Sequence, residues 1–143
     1  MKFFLTVAIL IPFLCAAGED RKPKTNNLTP ANAKVFFVNL KDGQVISTKY
    51  KVQMGIEGMK LRNASDDIND KTSGHHHILV NHKSITKNEA IPADDTHIHF
   101  GKSQTEAELN LKPGKYLLTL QLADGAHRSY GPELSSSVNI EVK

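Results

Sequence analysis

Cysteine is almost absent from this chain of 143 residues, which contains Cys15 alone and no tryptophan. One cysteine cannot close a disulfide within the chain, so an ordinary apolar core has to stabilise the fold. A chain of this length is long enough to enclose a single core.

An excess of charge of one sign is also missing. Lysine and arginine total 18 against 15 acidic residues, and one of the 18, Lys2, lies in the N-terminal segment described next. The basic residues are scattered, and no aromatic residues are interleaved with them. This distribution favours no polyanionic partner and argues against nucleic-acid binding.

The N-terminal segment has the three parts of a secretory signal. Lys2 precedes an apolar run from Phe3 to Leu14, and the small residues Cys15 and Ala17 fit a cleavage site. An apolar run of about 12 residues spans about 18 Å, which is too short for a hydrocarbon core of about 30 Å. We expect a signal peptide over residues 1–17, export to the periplasm or the extracellular space, and no transmembrane segment in the mature protein. Lipid attachment at Cys15 is the alternative.

The remainder divides into a tether and one domain. Residues 18–33 are polar and include Pro23 and Pro30, which indicates a flexible tether. Residues 34–143 form the domain, where apolar and polar residues alternate with a period of two, as in strands with one buried face. The dipeptide Asp42-Gly43 is favoured in tight hairpin turns.

The strand pattern predicts the fold class. The longest apolar stripe runs from Tyr116 to Leu122 with Leu120 at its middle, where full burial is expected. No apolar helical period continues for more than two turns. We therefore predict an all-β fold, an immunoglobulin-like antiparallel β-sandwich of about seven strands. Two loops exceed hairpin length, residues 60–74 and 82–96, and long loops on such a framework are often functional.

Histidine is the most unevenly distributed residue, since all seven lie between residues 75 and 127. Successive strand side chains point to opposite faces, so a buried Ile78 places His76 on the core side and His75 and His77 outward. The same parity around Ile98 places His97 and His99 outward. If the two strands are neighbours, four imidazoles share one face, with opposed Cβ atoms about 5 Å apart.

Imidazole nitrogen is a ligand of copper, zinc and nickel. The predicted metal ligands are therefore His75, His77, His97 and His99, with His127, which follows the long apolar strand, as an additional ligand. The alternative needs no metal, because a carboxylate such as Asp94 or Asp95 could orient an imidazole by a hydrogen bond. A hydrolytic triad of Ser84, His97 and Asp94 lacks a nucleophile elbow or other supporting context, so we predict no enzyme.

Three segments carry a resemblance to a known family. They are Val38 to Gly43, the triple-histidine segment Gly74 to Val80, and His97 to Glu106, which contains His-x-His-Phe-Gly. Together they resemble the bacterial exported family called domain of unknown function 4399, over about residues 34–142. The resemblance supports the β fold and the exported compartment, and it marks His75, His76, His77, His97 and His99 as motif positions without giving their role. Ser103 stands where the family pattern has glycine, which leaves the local turn open.

The expected function follows from the histidines. We predict an exported, non-enzymatic β-sandwich that binds a divalent transition metal, copper or zinc, through a surface histidine cluster. The alternative is a cell-envelope interaction module whose hydrogen-bonded histidines shape a contact with an envelope protein or a glycan.

Overall fold

The computed structural model describes residues 30–143 of the chain. The signal peptide and most of the predicted tether lie outside the described residues. Within residues 30–143 there are nine β-strands and one 3-10 helix. The strands are β1 Lys34–Phe37, β2 Gln44–Ile46, β3 Lys49–Glu57, β4 Lys60–Leu61, β5 Ser73–Val80, β6 His97–Phe100, β7 Glu106–Asn110, β8 Gly114–Ala123 and β9 Ser135–Val142, with the 3-10 helix at Pro132–Leu134.

The strands form two sheets. The smaller sheet has the order β1-β3-β7, and both of its pairs are antiparallel. The larger sheet has the order β2-β9-β8-β5-β4, and β6 joins it by pairing with β5. Its main pairs, β5 with β8, β8 with β9 and β5 with β6, are antiparallel, whereas the short strands β2 and β4 pair in parallel.

The apolar core lies between the two sheets. The smaller sheet contributes Val52 and Met54, and the larger contributes Ile78, Leu118 and Leu120. Leu120 is fully buried, as its place in the apolar stripe predicted. The domain is therefore a β-sandwich, as predicted, with more strands than the seven expected because β2 and β4 are too short to leave an alternating pattern.

The Asp42-Gly43 turn does not close a hairpin, contrary to the expectation from its sequence. Gly43 has a φ of +75°, as a tight turn requires. However, β1 before the turn pairs with β3, and β2 after it pairs with β9 of the other sheet. Local turn chemistry predicted the bend correctly, but tertiary packing directs the chain across to the second sheet.

The outward face of β5 is covered instead of exposed. Leu79 on this face packs with Ile91 and Ala123 in a second apolar cluster, with Ile85 against it. Ile85 and Ile91 belong to the long loop between β5 and β6, so that loop folds back over the sheet. All eight residues of β5 are buried. Within residues 30–143, no helix has the length and apolarity needed to cross a bilayer.

Candidate metal centre

Strand register brings three histidines together on the covered face of the larger sheet. His77 of β5 lies directly opposite His99 of β6, and His75 lies two residues earlier on the same face. The predicted parity is correct, because His76 points to the core side, where its neighbours in the register are Phe100 and Leu122.

A turn after β8 adds a fourth histidine, His127. Its ring centroid lies 4.9 Å from that of His75 and 4.8 Å from that of His99. His77 lies 4.9 Å from His75 and 5.0 Å from His99 by the same measure. We call His75, His77, His99 and His127 the histidine cluster.

The ligand atoms of the cluster are close to the spacing that a metal requires. Bonds of about 2.0 to 2.1 Å in a tetrahedral site separate neighbouring ligand nitrogens by about 3.3 Å. Nε2 of His99 and Nε2 of His127 are 3.2 Å apart. One nitrogen from each of His75, His77 and His99 lies within 4.8 Å of the others. Small side-chain rotations would therefore bring these nitrogens to bonding distance around one ion.

His97, the fifth predicted ligand, is outside this cluster although it shares the face. It lies opposite Leu79 in the register, one row beyond the His77–His99 pair. Its ring stacks on that of His82 at 4.7 Å, and its Nδ1 donates to Asp94 Oδ1 at 2.8 Å. Sharing a strand face with His99 was not enough, because the Asp94 carboxylate holds the imidazole away. This is the carboxylate-oriented arrangement that the sequence left open as the alternative to a metal.

The buried histidines have ring nitrogens without hydrogen-bond partners. Both nitrogens of His75 and of His76, and Nδ1 of His77, are buried and unpaired within the described residues. A buried polar group without a partner costs about 1 to 3 kcal/mol, so such groups are rare unless something else satisfies them. A metal ion in the cluster would satisfy one nitrogen each of His75 and His77.

Burial keeps these imidazoles neutral. It lowers the pKa of His75 to about 4 and that of His77 to about 2, and neighbouring histidines lower both further. Burial also lowers the pKa of His99, with a smaller contribution from His127. Neutral imidazole is the form that binds metals, so these ligands need no deprotonation at neutral pH.

Gly101 gives the His99 ring its place. A Cβ atom at this position would overlap Cε1 and Nε2 of His99 and would lie 3.1 Å from Cβ of Ala64. Any side chain here would displace the ring that closes the exposed side of the cluster. Sequence analysis had no signal for this role beyond the glycine after the His-x-His-Phe motif.

Gln121 fastens the cover over the cluster. It lies opposite His77 in the register and is fully buried. Its amide nitrogen donates to the carbonyl oxygens of Gly131 and Leu134, at 3.0 and 3.1 Å, and its Oε1 accepts from the backbone N–H of Ile85. The covering segments are thereby tied to the sheet beside His77, which explains why an outward-pointing face is dry. The prediction of a surface cluster is wrong for His75 and His77, which are 0% and 2% exposed, and right for His99.

The hydrolytic triad considered from the sequence is not assembled. His97 and Asp94 are in contact, but the side-chain hydrogen bonds of His97 within residues 30–143 go to Asp94 and Thr96 and none goes to Ser84. Ser103 has a φ of +57°, so the position expected to be glycine does adopt the left-handed backbone that glycine favours.

These features define a class, namely a β-sandwich protein with four histidines gathered under a covering loop on one sheet face. The family model described as Domain of unknown function (DUF4399) matches residues 52–143. The chain belongs to that family, as the resemblance of its histidine motifs indicated, although the match begins later than residue 34. No curated protein and no solved structure matches the chain.

Proposed function

We propose that this protein is an exported, non-enzymatic domain that binds one divalent transition metal ion, Cu(II) or Zn(II), through His75, His77, His99 and His127. Export rests on the signal-like pattern of residues 1–17. The observation that carries the metal site is the set of buried, unpaired ring nitrogens on His75 and His77 beside the two more accessible histidines.

The donor set limits the metals that the site would select. Four neutral imidazoles offer nitrogen only, which suits copper, zinc and nickel, whereas calcium and magnesium require oxygen ligands. The ion would be held by β5, β6 and the turn after β8, so it would tie together three segments that are far apart in sequence. His99 is exposed, and this side of the cluster gives an ion its path from solvent.

Calorimetric titration of chelator-stripped, tag-free protein with Cu(II) and with Zn(II) tests the proposal. We expect one ion per chain. The double substitution His75→Ala with His77→Ala should abolish tight binding, and so should His99→Ala with His127→Ala, because each leaves half the ligands.

The matched control is His82→Ala with His97→Ala, which also removes two stacked imidazoles but from outside the cluster. This variant should bind as the unsubstituted protein does. Equal losses in all three variants would mean that histidines bind metal non-specifically. Absence of binding in the unsubstituted protein would favour the envelope interaction module, in which the His99–His127 contact is only a hydrogen bond.

A further inference from the structure

The turn that carries His127 is built around a buried carboxylate. Asp124 has a side chain only 3% exposed, directly after β8. Its Oδ1 accepts the backbone N–H groups of Ala126 and Arg128 at 2.9 and 3.0 Å. Its Oδ2 accepts Lys71 Nζ at 2.5 Å and Arg128 Nε at 3.0 Å. Four donors therefore satisfy the charge, and two of them are the peptide groups on either side of His127.

The backbone of His127 is fixed as well. Its N–H donates to the Asp124 carbonyl oxygen and its own carbonyl oxygen accepts from the Ile91 N–H, each at 2.9 Å. His127 has a φ of +61°, a left-handed conformation that is unfavourable for a residue with a side chain. Such a conformation persists only where surrounding contacts enforce it, and it occurs often at binding sites. Here the enforced conformation directs the imidazole to within 3.2 Å of His99 Nε2.

We infer that Asp124 is a positioning residue for the metal site, which sets metal affinity by holding His127 in its ligating place. This inference rests on the proposed function. Asp124 would touch no metal itself, and its effect would pass entirely through the turn of residues 124–128. Sequence analysis named His127 and quoted the Asp-Gly-Ala-His run, but nothing in the run indicated that the carboxylate would be buried beneath the histidine.

A double-mutant cycle with Zn(II) as the probe tests the inference. Asp124→Asn keeps the shape of the side chain but removes its charge, and it should weaken affinity about tenfold, the lower end of the usual effect for groups that orient ligands. In the His127→Ala background the same substitution should change affinity by less than about twofold, because no fourth ligand remains to be positioned.

The second readout is the electron paramagnetic resonance spectrum of the Cu(II) form. Asp124→Asn should shift it toward the spectrum of His127→Ala, an effect that a general loss of stability would not produce. Asp94→Asn is the matched control, because Asp94 also holds a histidine, His97, but one outside the cluster. It should leave both affinity and spectrum unchanged.

The outcomes separate the two proposals. Equal weakening by Asp124→Asn with and without His127, or no weakening at all, would overturn the positioning role while leaving the metal site intact. If the unsubstituted protein binds neither Zn(II) nor Cu(II), the metal site and the role of Asp124 are both wrong.

Discussion

Replacing His76 with leucine should make the protein more resistant to acid. His76 is fully buried on the core side of β5, and neither of its ring nitrogens has a partner. Burial lowers its pKa to about 4. The unfolded chain therefore binds a proton near pH 6.5, whereas the folded protein does so only near pH 4. The unfolded state holds more protons in between, so the free energy of unfolding falls as the pH falls through that range.

The magnitude follows from the two pKa values. For one group with a pKa of about 6.5 unfolded and about 4 folded, linkage gives a loss of about 2 kcal/mol between pH 7.5 and pH 5.0. Leucine cannot be protonated, so His76→Leu should lack this loss. The contributions of His75 and His77 remain in both proteins and cancel in the comparison.

The assay is urea unfolding of chelator-treated protein at pH 7.5 and pH 5.0, analysed as a two-state transition. The difference in unfolding free energy between the two pH values should be about 2 kcal/mol smaller in His76→Leu than in the unsubstituted protein. His82→Leu, at an exposed position, should keep the full pH dependence. Equal pH dependence in His76→Leu and the unsubstituted protein, within about 0.5 kcal/mol, would refute the assignment of His76 to the dry core.

Three further predictions concern the core and the cluster. Leu120→Ala should lower the unfolding free energy by about 2 to 5 kcal/mol in urea unfolding, through lost burial and a cavity, and an unchanged midpoint would contradict the strand parity. Gly101→Ala should weaken Zn(II) binding in calorimetry by displacing the His99 ring, and adding His99→Ala should weaken it no further. Four ordinary imidazoles would lose about 10⁴-fold in affinity between pH 7.5 and 5.5, but His75 and His77 stay neutral, so Zn(II) titration at the two pH values should show at most about a hundredfold loss.

The sequence alone determined the parts of this protein that depend on local periodicity. Alternation of apolar and polar residues identified the main strands and the burial of Leu120. Parity placed His75 and His77 on the face opposite His76, because the side-chain period of a strand is fixed by the backbone. The histidine motifs also indicated the family that the match over residues 52–143 supports.

Tertiary structure alone decided which of these histidines meet. Parity gives a face but neither the neighbour across a strand pair nor the direction of a ring. The register places His77 opposite His99 and leaves His97 one row away, beside Asp94. The covering loop makes an outward face dry, and the Asp124 turn brings His127 from 28 residues beyond His99 to within hydrogen-bonding distance of it. These are contacts between segments distant in sequence, so no local pattern could encode them.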